Sequence, residues 1–420
     1  MLPFSVFKLV IIFFVWNNTY AFQLGNCPLQ RNSYLCSSSS TTDSNDESIF
    51  PSTTTTIPKE RGIKSIQKYA RLPVWPAWNG AVLFLLSKIL PPPIVAKLED
   101  TFGGRVSPSF YNPIETSPFI MLVHHCHSFT SFDPLRYFQK SFILPEGFPA
   151  HPHRGFITLT YCLKGGMLHR DSVGVKQTYG AEVRHGGNIA QWLVAGAGML
   201  HEEMWDINHE QDGICSRQEL FQLWINLPSS AKMTHPRVSL LHQGDNDNND
   251  MKDGICEIPS IKTPGTETIV LVGEHNGMKA NVETFSPMTI LHVKVDPFQQ
   301  WSTSLMDETY KTGLLYMRSG SCSVGTNRIE IPAHHTATLA SSGSVFHIEA
   351  GKDGADFMLL VGAPLYEPVE ARGSMVMNTM DEIDLAYNDY NRGLMGLPWP
   401  WNYSDDEWKS HVSKNGSKYR

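Results

Sequence analysis

The chain is short of charge. Only 18% of its 420 residues are Asp, Glu, Lys or Arg, and 34 basic against 41 acidic side chains leave a net charge of −7 with His neutral. No cationic surplus is available to displace phosphate counterions, so direct nucleic-acid binding is not expected. Cysteine is scarce as well: seven, well separated, with no CxxC pair. That excludes a disulfide scaffold and a zinc-finger pattern, and most of the seven are expected as buried thiols. No apolar run is long enough to cross a bilayer. The longest are Leu9–Trp16 and Ala81–Leu90, the second interrupted by Lys88 and stopped by Pro91-Pro92-Pro93. What the chain does have is 41% hydrophobic residues, 32 Gly, 27 Pro and 17 His. Those numbers fit about two to three folded domains with a capacity for metal or proton chemistry.

The front end reads as an address. Lys8, the apolar Leu9–Trp16 and a polar stretch ending at Ala21 have the layout of a signal peptide. A tract rich in Ser and Thr follows through Thr56, with too few apolar residues to bury a core. Tyr20-Ala21-Phe22 ahead of such a tract resembles the two-part plastid presequences of algae with secondary plastids, although Asp43, Asp46 and Glu47 depart from the low acid content of transit peptides. Secretion or residence in the endoplasmic reticulum is the alternative, and the sequons at Asn402 and Asn415 are compatible with that route. Ala81–Leu90 reads as a short packed helix, with a membrane-surface contact as the other reading.

From Arg105 to about Pro368, short apolar runs alternate with turn residues: Phe156–Leu163, Ala190–Gly196, Leu220–Leu227, Glu267–Gly273 and Phe357–Gly362. Their lengths and boundaries predict strands, and so an all-β sandwich or barrel. The acidic stretch His242–Gly254 divides this body. It lacks EF-hand spacing and reads as a solvated loop. After Asn378, itself a candidate helix cap, a helix is expected, followed by an irregular tail.

The chemical signal is local. In Phe148–Phe156 (FPAHPHRGF), His151 and His153 stand two apart in extended chain, so both imidazoles point to one face. Pro152 between them requires an edge or strand-start position. In GAGMLHEEMW, His201 and Glu203 repeat the spacing, and Glu202 points the other way. Together His151, His153, His201 and Glu203 make a ligand set of three imidazoles and one carboxylate. It suits one divalent transition metal, with Fe(II) the first choice and Mn, Ni, Cu or Zn as alternatives. Upstream, His125 and His127 share a face and either line the pocket, support the ligands or serve as ordinary strand residues. His124 lies beside them. The C-terminal half has no equivalent: His334 and His335 are adjacent and His347 stands alone.

These segments resemble the pirins of the cupin superfamily. HPHRGF is close to their signature, and QLWINLPSSAKM, PAHHTATL, GAPLYEPV and MVMNTMDEI follow in the family's order, so the resemblance spans about residues 105–395. Ile157 departs from the Glu usual after HPHRGF. The resemblance implies a bicupin, two β-barrels packed face to face with metal only in the N-terminal one, and maps its ligands onto His151, His153, His201 and Glu203. The expected organisation is residues 1–21 signal peptide, 22–75 presequence or linker, 76–104 short helical segment, 105–241 metal-bearing barrel, 242–266 linker, 267–377 second barrel, and 378–420 helix and tail. The resemblance further implies a quercetin 2,3-dioxygenase-type reaction between O2 and an aromatic or hydroxy-ketone substrate, with Glu203 also able to accept the substrate's hydroxyl proton. The alternative is a non-enzymatic, iron-binding, redox-responsive regulator with a protein partner.

Overall fold

A computed structural model describes residues 59–73, 88–133, 145–243, 254–305 and 307–420, together with Leu86, Arg136 and Tyr137. The expected signal peptide, the Ser/Thr tract, most of Ala81–Leu90 and the acidic centre of the 242–254 loop lie outside the described residues. No helix among the described residues is long and apolar enough to cross a membrane.

Strands dominate, as the turn-bounded apolar runs predict. In the N-terminal half, an eight-stranded sheet runs in the order Ile255–Glu257, Arg237–His242, Asn188–Val194, Phe156–Lys164, Cys215–Asn226, Phe119–Thr130, Gly104–Phe110 and Leu72–Pro73. A four-stranded sheet, Gly147–His153, Met199–Trp205, Gly166–Asp171 and Lys176–Gly180, completes the first barrel. The second barrel is one nine-stranded sheet built on Thr312–Val324, Val345–Gly362, Met288–Val295 and Thr266–Val272. The architecture is a bicupin.

Period-two alternation decides what each strand faces. Leu122, Leu159, Trp192, Phe221, Leu223 and Ile225 point out of the first barrel and share a core with Leu291, Leu315 and Leu359 of the second. Each such side chain stabilises by roughly 1.5–3 kcal/mol on leaving water. Ile157, where the family pattern has Glu, is fully buried in the same core. The opposite parity points into the first barrel.

Three expectations need correction. The supposed linker up to residue 75 is structured where it is described. Ile63–Lys68 pairs with His335–Leu339 in the second barrel, and Leu72–Pro73 pairs with Gly104–Phe110 in the first. The expected irregular tail contains a helix, Asp405–Asn415, opened by a Ser404–Glu407 capping box. Asn378 is not the cap of helix Met380–Asn391, because Thr379 holds that position and accepts from the Glu382 N–H. The signal was in the sequence, because Thr379-Met380-Asp381-Glu382 has the capping-box spacing. Of the two sequons, Asn402 is exposed, whereas Ser417 of the second is buried and bonds the Gly198 carbonyl at 3.1 Å. Among the described cysteines all five are free, Cys162 and Cys322 buried and the other three half-buried.

Candidate metal centre

Strand Gly147–His153 is the edge of its sheet, so Pro152 sits where its missing N–H does no harm. Its neighbour Met199–Trp205 runs antiparallel and places His201 directly opposite His151. A bulge follows, and Glu203 lies opposite Phe148. The chain leaves the HPHRGF strand through Gly155 at φ +83°, where a Cβ would stand 1.9 Å from the Val376 carbonyl oxygen. Only glycine fits there.

His151, His153 and His201 converge, with ligand atoms within 4.8 Å of one another. His151 Nε2 is 3.1 Å from His153 Nε2 and 3.0 Å from His201 Nε2. The Nδ1–H of His151 donates to the Pro149 carbonyl at 2.8 Å, so its Nε2 carries the lone pair. Burial lowers the pKa of all three imidazoles, that of His153 and His201 well below the ordinary value. Three neutral rings thus aim nitrogens at one point, and one cluster proton cannot satisfy them all. A cation does. Two nitrogens each about 2.1 Å from a shared ion at right angles would stand about 3.0 Å apart, so the donor set fits a divalent metal.

Glu203 is not inside that cluster of three. It is 1% exposed, and its carboxylate accepts from Thr160 Oγ1 and Tyr179 Oη at 3.1 Å each and from Gln222 Nε2 at 2.9 Å. It lies on the same strand two residues beyond His201, held by three neutral donors. Glu202 points the other way as expected, yet it is buried rather than solvated. Arg170 and the Trp399 indole N–H, 2.8 Å away, hold it, and the burial that raises its pKa is opposed by those two partners.

His125 and His127 share the inner face of Phe119–Thr130 but do not join the triad. They bond each other at 3.2 Å, stack at 5.5 Å, and pack with Phe129, Phe148 and Trp205. His124 faces the second barrel. With Cys126 and Glu219 it forms the other His/Cys/Asp/Glu group among the described residues. Both Glu219 oxygens are already taken by Arg318, at 2.7 and 2.9 Å, and His124 bonds one of them at 3.0 Å. That ion pairing, which lowers the Glu219 pKa against the opposing effect of burial, makes the group a polar seam between barrels rather than a cation site. In the second barrel His334 and His335 bond Tyr316 and the Ala333 carbonyl, with no triad among the described residues.

Sequence reading missed His169 and Asp171, both fully buried. They bond at 2.9 Å, and the His169 ring lies 5.4 Å from that of His201. The second Asp171 oxygen accepts from the N–H groups of Val173, Gly174 and Val175. The signal was present: His169-x-Asp171 repeats the period-two spacing on a strand that pairs with Met199–Trp205.

Comparison with known proteins gives the same picture. Residues 109–225 match the Pirin family model and residues 290–396 the Pirin C-terminal cupin domain. The chain is 32% identical to Pirin-1 of Arabidopsis thaliana over 311 residues, 72% of this chain and 93% of that one. It is 35% identical to Pirin of Homo sapiens over 260 residues, 60% of this chain and 79% of that one. A crystal structure of quercetin 2,3-dioxygenase from Acinetobacter baumannii superimposes with a TM-score of 0.60 at 27% identity, covering 80% of this chain and 99% of the other. The two family-model matches, the identity to Pirin-1 over 72% of the chain, the HPHRGF edge strand and the imidazole triad converge on one assignment: the chain belongs to the pirin family of the cupin superfamily.

Proposed function

We propose that this pirin is a metal-dependent dioxygenase acting on flavonol-like hydroxy-ketones, with iron held by His151, His153, His201 and Glu203. The convergence of three neutral imidazoles, His153 and His201 buried and His151 half-buried, beside a buried carboxylate carries the reading. When bound by these residues, a divalent metal would supply Lewis acidity toward the substrate's oxygens. The chain's residues do the rest. Glu203 accepts the substrate hydroxyl proton at its carboxylate, and Thr160, Tyr179 and Gln222 fix that carboxylate's orientation. Trp224, tilted against Phe156 at 4.4 Å and edge-on to His153, offers a flat apolar wall to a planar ring system. The quercetin 2,3-dioxygenase neighbour supports this choice of substrate class.

The test is metal analysis and O2 uptake with quercetin on the purified protein. Uptake lost together with metal in His151→Ala and His201→Ala is the expected result. Full iron occupancy with no uptake on any flavonol would reject catalysis and favour the redox-responsive regulator. We also propose entry into the secretory route with a plastid destination. A fusion of residues 1–60 to a fluorescent protein that is simply secreted would reject the plastid.

A further inference from the structure

The four proposed ligands face the barrel interior, so by strand alternation their immediate neighbours face outward. The C-terminal segment, residues 380–420, fastens those neighbours. Arg154, next to His153, is 1% exposed. Its guanidinium donates to Asp389 Oδ2 at 2.9 Å and Tyr419 Oη at 2.8 Å, and the Tyr419 hydroxyl donates to the same Asp389 oxygen at 2.8 Å. Glu202, between His201 and Glu203, accepts from the Trp399 indole N–H. Leu200, on the other side of His201, packs with Met395, Trp399 and Trp408, and Ala150 beside His151 packs against the same cluster. Ser172, next to Asp171, donates through Oγ to the Met395 carbonyl at 2.7 Å, and its own carbonyl accepts from the Ser417 N–H. Both strands that carry the ligands are thus gripped from behind by one segment. Residues 397–420 of it lie beyond the stretch matched to the family's C-terminal domain.

We infer that the C-terminal segment is a positioning clamp for the metal centre: the Arg154–Asp389–Tyr419 knot and the Glu202–Trp399 bond hold the two ligand strands at the spacing the cation needs. The inference rests on the metal reading above and adds residues that touch neither metal nor substrate. Their effect passes through ligand geometry, as outer partners of metal ligands do elsewhere, with losses of about 10–100-fold in affinity.

The test uses the full chain and cobalt(II), whose visible bands report ligand number and geometry. Tyr419→Phe removes the hydroxyl and keeps the ring, and Trp399→Phe removes the indole N–H together with the pyrrole ring that carries it. The double variant should keep its metal-free far-ultraviolet circular dichroism, bind cobalt at least about tenfold more weakly by chelator competition, and shift the visible bands. Leu291→Ala, in the core of the second barrel, is the control for stability alone. If it weakens cobalt binding as much as the double variant does at equal loss of melting temperature, the clamp is overturned. Wild-type affinity and spectrum in the double variant also overturn it, while the metal reading stands. A wild-type protein that binds no cobalt overturns both.

Discussion

His201 lies directly across the antiparallel pairing from His151, and their Nε2 atoms are 3.0 Å apart. Two neutral imidazoles in that position gain little from each other and much from a shared cation. Loaded and metal-free protein should therefore differ in stability by mass action, about 2.7 kcal/mol with free metal at 100 times Kd. Chelation should lower the melting temperature of the wild type and leave that of His201→Ala unchanged. A wild-type melt indifferent to chelator would sink the metal site.

Gln222 is the donor that reaches Glu203 Oε2. Gln222→Leu leaves that buried oxygen without its partner and should cost about 1–3 kcal/mol in metal-free protein. Tyr179→Phe leaves Thr160 still bonded to the other oxygen and should cost less. Urea unfolding of both variants checks the order, and the reverse order would show that Oε2 is satisfied another way.

Lys232 is 1% exposed, and its ammonium donates to the Gly155 carbonyl at 2.9 Å, Asn226 Oδ1 at 2.7 Å and the Val376 carbonyl at 3.0 Å. It staples the turn after HPHRGF to strand Met375–Met377. Lys232→Met should destabilise on the order of 3 kcal/mol, because three buried acceptors lose a donor at once and only the Gly155 carbonyl keeps a second, the Leu227 N–H at 3.4 Å. A denaturation midpoint within error of wild type would refute the staple.

Burial presses the His125 imidazole from 6.5 down to about 3, and drives His127 well below its ordinary value. Both folded-state values lie below the unfolded ones, so between roughly pH 6.5 and 3 the unfolded chain binds protons that the folded chain refuses. Stability should be full above about pH 6.5 and decline as the pH falls through that window. His125→Phe should flatten the decline, read as urea midpoints across the range. An unaltered slope would assign the acid sensitivity elsewhere.

Much of the centre was legible in one dimension because strand alternation is local. His151, His153 and His201 needed only a spacing of two and a proline that forbids helix, and the triad follows once those strands pair. The barrel class was equally legible from short apolar runs between turn residues. Glu203 shows where that reading stops. Its position on the inner face is local, but its partners Thr160, Tyr179 and Gln222 come from three other strands, and no local pattern says which donors will meet it.

Tertiary structure alone decided the rest. Alternation turned Glu202 away from the ligands, but that Trp399, nearly 200 positions later, would bond it there was set by the fold. Ile63–Lys68 looked like linker because an edge strand needs only one neighbour to complete it, and that neighbour, His335–Leu339, lies far along the chain. Residue type and local period determine which side chains share a face. Which faces meet depends on the closure of long loops and the burial of area shared by distant segments, and those terms exist only once the whole chain has folded.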